Sequence, residues 1–231
     1  MTALAEAVPV IPPAVCPPTV WQVQHLQEQS YQQTLTLQKN LASAIADGRQ
    51  SNILLLTEHA PIYTLGPRTR PEHARVVDPA YETVPQLVTD RGGEITYHGP
   101  GQLIAYVIRD LRPAIHAVRA HVDALESVII NVLAELTIQA ARDKRYPGVW
   151  VAGSKVAALG VRVRRGVAYH GIALNNRPDL GAFNAIVPCG IEGGAVTSLQ
   201  KLGVDITMDA LADLFIQHFQ PVFNVKWESA S

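Results

Sequence analysis

GVWVAGSKVAALGVRVRRGVAYHGIALNN, residues 148–176, constrains the fold most. Apolar residues alternate with small or charged ones along it, which is the period of a strand rather than a helix. Turn signals fall at Gly153-Ser154 and at Arg164-Arg165-Gly166. The expected product is a β-meander. Such a meander cannot bury its faces alone, so the rest of the chain must supply partners.

Those partners are readable on both sides. TVWQVQHL, from Thr19, alternates as a strand, and a helix follows with Tyr31, Leu35, Leu41 and Ile45 on one face, Ser30 as cap and Gly48 as stop. SNILLLTEH suits a buried strand. APIYTLGPRTRPEHARVV is broken by prolines and Gly66, and LVTDRGGEITYHGPGQLIAYVIRDL reads as three strands joined by two glycine turns. Residues 114–140 carry the longest helical pattern, and MDALADLFIQHFQPVF closes the chain as an amphipathic helix capped by Thr207. Grouped strands with a few long helices imply an α/β domain of the α+β kind rather than regular βαβ alternation. Residues 1–18 hold five prolines, so they are expected to be a flexible leader and residues 19–231 the folded domain.

Composition narrows the function classes. The 231 residues are 48% hydrophobic and 17% charged with a net charge of −1, so nothing suggests a nucleic-acid partner or a membrane surface. No apolar run reaches the roughly 18–20 residues of a bilayer span, and the N-terminus lacks a signal-peptide pattern. Cys16 and Cys189 make no disulfide framework and match no zinc spacing. The expectation is a soluble cytoplasmic protein with reduced thiols and no metal.

Four stretches can carry chemistry. RGGEITYHGPGQ, residues 91–102, packs four glycines with Arg91, Tyr97 and His98, but it is neither a phosphate-binding P-loop nor a dinucleotide fingerprint. Lys155 stands alone among Val, Ala, Leu and Gly, either as an edge-strand guard or as a poorly solvated cation beside a reactive group. His170, in YHGIALNN, is a structural histidine or a base. Cys189 lies in a turn between Pro188 and Gly190, where a packing thiol has little reason to be and where backbone N–H groups can serve an oxyanion. Lys155, His98 and His170 are all candidate bases, and spacing does not choose among them. Arg68, Arg70, Arg91, Arg162, Arg164 and Arg165 are candidate contacts for an acidic partner, or simply a solvated face.

In order, RGGEITYHGPGQLIAYVI, GVWV…GSKVAALGVRVRRGVAYHGIALN and FNAIVPCGIEGGAVTSL resemble the octanoyl-[acyl-carrier-protein]:protein N-octanoyltransferase family, also called lipoate-protein ligase B. The resemblance implies a single domain like the catalytic domain of biotin and lipoate protein ligases, with a central mixed sheet flanked by helices. It makes Cys189 the acyl-thioester nucleophile and Lys155 the group that lowers its pKa. It makes Arg91, Gly92, Gly93, Glu94, Ile95, Thr96, Tyr97, His98, Ala158, Leu159, Gly160, Gly171, Ile172 and Ala173 substrate-binding. Residues 156–160 and 171–174 would line an acyl tunnel. The donor would be octanoyl-acyl carrier protein, which brings its own phosphopantetheine, and no bound cofactor is implied. The acceptors would be lipoyl domains of 2-oxoacid dehydrogenase complexes and the glycine cleavage H protein. Three other readings stay open: an ATP-dependent lipoate or biotin ligase on the same fold, a cysteine thioesterase, and a non-catalytic acyl-binding protein.

Overall fold

A computed structural model describes residues 19–26, 30–70, 75–114, 117–143, 146–186 and 196–228. The leader at 1–18, Cys16, Cys189 and the residues around Gly190 lie outside the described residues. The chain runs β1 (Thr19–His25), α1 (Tyr31–Ala46), β2 (Asn52–Thr57), β3 (Ile62–Leu65), β4 (Gln86–Val88), β5 (Ile95–His98), β6 (Gln102–Asp110), α2 (Val118–Glu135), β7 (Ala141–Arg142), β8 (Val149–Val151), β9 (Ser154–Arg164), β10 (Val167–Asn175), α3 (Gly181–Asn184), α4 (Met208–Phe223) and β11 (Val225–Trp227).

The expected α+β domain with a central mixed sheet is what forms. Eight strands lie in the order β11-β1-β2-β6-β10-β9-β8-β7, and β4-β3-β5 make a separate small sheet. Strand β1 is parallel to both β11 and β2, while β2 through β10 pair antiparallel across β6. Alternation assigns the two faces. Leu54, Leu56, Leu103, Ala105, Val107, Ile172 and Leu174 face α2 and α4, where Trp21 meets the Phe219 ring edge-on at 5.2 Å. Ile53, Leu55, Ile104, Tyr106, Ile108, Tyr169 and Ala173 face α1. Among the described residues no helix is long and apolar enough to cross a membrane.

The meander forms as β8, β9 and β10. Its second turn is at Arg165 and Gly166, with φ of 54° and 82°, the two left-handed residues a tight hairpin needs. The first turn sits one residue earlier than expected, on Ala152 and Gly153. Helix α1 starts as read: Ser30 and Gln33 form a reciprocal capping box. Helix α2 is shorter than residues 114–140, because Thr137 turns left-handed with φ of 61° and the Ile138 N–H closes on the Leu133 carbonyl at 2.8 Å. A glycine would normally mark such an end, and none is there. The three strands read from residues 87–111 belong to two sheets: β4 and β5 join β3, which the prolines of APIYTLGPRTRP concealed, while β6 enters the large sheet.

The small sheet docks through backbone. The Gly92 N–H donates to the Val161 carbonyl at 3.1 Å, and a side chain on Gly160 would meet the Gly92 carbonyl oxygen at 2.5 Å. Two glycines are therefore required where two chain segments touch.

Candidate active site

Between the small sheet and the β6–β10–β9 part of the large one lies a cavity of about 110 Å³. Its wall takes in residues 91–96, His98, Lys155, 158–160 and 171–173, segments that are far apart in sequence. Tyr97 is the exception. Its ring packs against Tyr63 and Phe183, with ring centroids 5.6 and 5.4 Å away. The apolar wall comes from Ile95, Ile104, Leu159, Ile172, Ala173, Phe183 and Ile186. Val156, Ala157 and Leu174, expected to line a tunnel, instead belong to the core on the α2–α4 face.

Lys155 does not guard an open edge, since β9 is flanked by β8 and β10. Its Nζ donates to the Pro147 carbonyl at 3.1 Å and sits 4.9 Å from the centroid of the Trp150 ring. A carbonyl oxygen and a ring face are both surroundings that attract a cation. Its own carbonyl accepts from the Thr197 N–H at 3.0 Å, and Val196 bridges to it. The described chain thus leaves at Ile186 on the cavity wall and resumes at Val196, also on that wall and beside Lys155.

His98, His170 and Arg91 add polar groups to the cavity wall. His98 is buried, its Nδ1 meets Gln102 Oε1 at 2.7 Å, and burial pushes its pKa down to about 3, leaving a neutral imidazole. His170 is held at a left-handed φ of 63° by Gln38, whose Oε1 accepts the His170 N–H at 2.9 Å. Its Nε2 donates to Asp90 Oδ1 at 3.0 Å. Burial depresses the His170 pKa despite Asp90, and the hydrogen bonds from His170 and then Tyr169 hold Asp90 ionised. Arg91 is buried, not a surface contact. Its Nε and Nη2 donate to Thr64 Oγ1 and the Thr64 carbonyl at 2.9 and 2.5 Å, tying the glycine turn to β3.

The profile of the lipoyl protein ligase A/B catalytic domain matches residues 30–220. The chain belongs to that family. A relative named Octanoyltransferase from Magnetococcus marinus is 43% identical over 209 residues, covering 90% of this chain and 96% of its own. Another of the same name from Xanthomonas campestris pv. campestris is 39% identical over 231 residues, covering 100% of this chain and 96% of its own. Among solved structures, a lipoate-protein ligase A bound with ATP superposes with a TM-score of 0.71 at 16% identity, covering 93% of this chain and 89% of that one. A bi-partite lipoate protein ligase from Thermoplasma acidophilum gives 0.67 at 18% identity, covering 91% and 87%. At these identities the structural likeness establishes the fold alone.

The ligase-family fold also brings residues to the cavity that the motifs did not mark. Tyr31 opens α1, Tyr106 is in mid-β6, Trp150 lies on β8 and Asn175 ends β10. Tyr106 carried a signal: a phenol inside the apolar run LIAYVIRD needs a partner, and its hydroxyl meets His59 Nε2 at 2.8 Å. Burial raises the pKa of Tyr31 to about 12 and that of Tyr106 well above its ordinary value, so both keep their protons. Of the candidate surface arginines, Arg68, Arg70, Arg162, Arg164 and Arg165 are exposed, and Arg165 pairs with Asp47 at 2.6 Å.

Proposed function

We propose that this chain is an octanoyltransferase of protein lipoylation, an acyltransferase that moves an octanoyl or lipoyl group from acyl carrier protein to the lysine of a lipoyl domain through an acyl thioester on Cys189. The relatives of that name, about 40% identical over nearly the whole chain, support the activity. The observation that carries the chemistry is the seating of Ile186 and Val196 on one cavity wall, with Val196 bridged to Lys155. Cys189 follows Ile186 by three residues, a tether of about 10 Å at full extension.

In the first step the Cys189 thiolate attacks the carbonyl carbon of octanoyl-acyl carrier protein. A C–S bond forms to Cys189, the bond to the phosphopantetheine sulfur breaks, and that thiolate leaves to take up a proton. In the second step the neutral amine of an acceptor lysine attacks the Cys189 thioester. An amide forms, and the proton shed by nitrogen is balanced by the returning Cys189 thiol. Lys155 is the cation that favours the thiolate in both steps. The apolar wall favours the acyl chain by about 0.8 kcal/mol for each buried CH₂. No bound cofactor or metal enters, because phosphopantetheine arrives on the donor. The acceptors are lipoyl domains of 2-oxoacid dehydrogenase complexes and the glycine cleavage H protein, in the cytoplasm.

Intact-protein mass spectrometry after mixing with octanoyl-acyl carrier protein tests this reading. The expected result is one octanoyl adduct on the parent, lost when a lipoyl domain is added and absent as a thiol-labile adduct from Cys189→Ser. Transfer from free octanoate and ATP, insensitive to thiol alkylation, would replace it with a ligase. Release of free octanoate at the transfer rate without an acceptor would replace it with a thioesterase. Tight acyl binding with no turnover would replace it with a binding protein.

A further inference from the structure

Glu126 stands on the buried face of α2, in line with Leu125, Val128 and Ile129, where a carboxylate needs a reason. Its Oε1 accepts the Gly148 N–H at 2.8 Å, and its Oε2 accepts Arg142 Nε at 3.0 Å. Arg142 is anchored in turn, with Nη2 on the Asp123 carbonyl at 2.8 Å and on Ser127 Oγ at 2.5 Å. The Gly148 N–H belongs to the same peptide group as the Pro147 carbonyl, and that carbonyl accepts Lys155 Nζ at 3.1 Å. One rigid amide plane therefore has a carboxylate at its N–H and an ammonium at its C=O.

We propose that Glu126 is a positioning residue for Lys155, holding the ammonium at the cavity through the single peptide group that joins Pro147 to Gly148. A carboxylate on the N–H end polarises the amide and strengthens the carbonyl as an acceptor for a cation. The turn is tied at each of its three residues. Trp150 Nε1 donates to the Tyr146 carbonyl at 3.2 Å, the Pro147 carbonyl holds Lys155, and Gly148 is on Glu126. Gly148 has φ of 128°, and a side chain there would meet the Ala157 carbonyl oxygen at 2.5 Å and Lys155 Cε at 3.4 Å. The turn fits only around a glycine, and it forms one side of the lysine's cradle while the Trp150 ring forms another. Among the described residues, the titratable groups around this arrangement include Arg142 on Glu126 and, on the cavity wall, Arg91, Glu94 and the imidazoles of His98 and His170, whose pKa values burial lowers.

The inference deepens the proposed reaction and rests on it for the role of Lys155, but its test stands apart. Side-chain ¹⁵N NMR of lysine-labelled full-length protein, with the Lys155 signal assigned by its loss in Lys155→Arg, gives the ammonium midpoint directly. Glu126→Gln keeps the shape and removes the charge. It is expected to lower that midpoint by about half a pH unit, roughly threefold in the ammonium-to-amine ratio. Arg142→Gln leaves Glu126 uncompensated and is expected to leave the midpoint unchanged or raise it. Loosened packing would move both variants the same way. An unchanged midpoint in Glu126→Gln, or equal falls in both, overturns the proposal. Should Glu126→Gln fail to fold, a lowered midpoint in Arg142→Gln overturns it and an unchanged or raised one supports it. The pH profile of Cys189 alkylation, measured on the same samples, reports separately on whether that thiol senses Lys155.

Discussion

Asn175 donates its Nδ2 hydrogen to the backbone carbonyl of Thr197 at 3.0 Å, and this bond settles where His98 carries its proton. A carbonyl only accepts, so the Asn175 amide has one orientation, with Oδ1 toward Gln102 Nε2 at 2.8 Å. Gln102 then presents Oε1 to His98 Nδ1 at 2.7 Å, and Nδ1 must be the protonated nitrogen. Nε2 is left as a bare acceptor. Long-range ¹H–¹⁵N spectra should show the Nδ1–H tautomer with no titration between pH 5 and 8, consistent with a pKa of about 3. Asn175→Ala should give mixed tautomers and lose about 1–3 kcal/mol, since Gln102 and Thr197 are left with unpaired buried groups. A fixed tautomer in the variant would count against the relay.

Asp90 joins the loop before the glycine turn to β10, through His170 at 3.0 Å and the Tyr169 hydroxyl at 2.5 Å, with Lys39 at 3.6 Å. Asp90→Asn should cost about 1–2 kcal/mol at pH 7, discounted because the carboxylate is partly exposed. The folded state holds this acid below its ordinary value of 3.8, chiefly through the His170 hydrogen bond. Its contribution is therefore complete above about pH 4 and is lost as pH falls further. Urea melts of parent and variant should differ at pH 7 and converge toward pH 2. A gap that widens in acid would refute the assignment.

Periodicity carried most of the large sheet and three helices, because long elements with one buried face write that face into the sequence. The 154–176 hairpin and the Ser30 cap are examples. Strand β3 was lost between prolines, and β7 and β11, of two and three residues, are too short for a period. Motif order marked the cavity segments but not the packing of each side chain, so Tyr97 was grouped with His98 although its ring is taken up by Tyr63 and Phe183. Glu126 and Gln102 were invisible as site supports, because their relevance rests on contacts 22 and 73 residues away along the chain or network.

Gly171→Ala should be among the most damaging small changes. An added side chain would strike the Ala105 carbonyl oxygen on β6, against which β10 pairs through Gly171–Tyr106 and Ile172–Ala105. Relief requires opening the centre of the sheet beside the cavity, at a cost of about 3 kcal/mol. The midpoint of denaturant unfolding should fall accordingly. A loss under 1 kcal/mol would mean that β10 can shift without breaking its ladder.

His121 offers the opposite outcome. It is 1% exposed on α2, stacked edge-on against Phe223 at 5.9 Å, and neither ring nitrogen has a hydrogen-bond partner among the described residues. Burial, with Arg109 adding to it, lowers its pKa from 6.5 to about 3. The unfolded chain binds a proton that the folded chain refuses, so stability falls as pH drops from about 6.5 toward 3. His121→Leu removes two unpaired polar atoms and should gain about 1 kcal/mol at pH 7. It should also reduce the loss of stability between pH 6 and pH 4. The loss should shrink rather than vanish, because His98 is depressed to about 3 in the same way. Chemical denaturation across that range decides it: an unchanged pH slope in His121→Leu would show that the buried ring takes up its proton without unfolding.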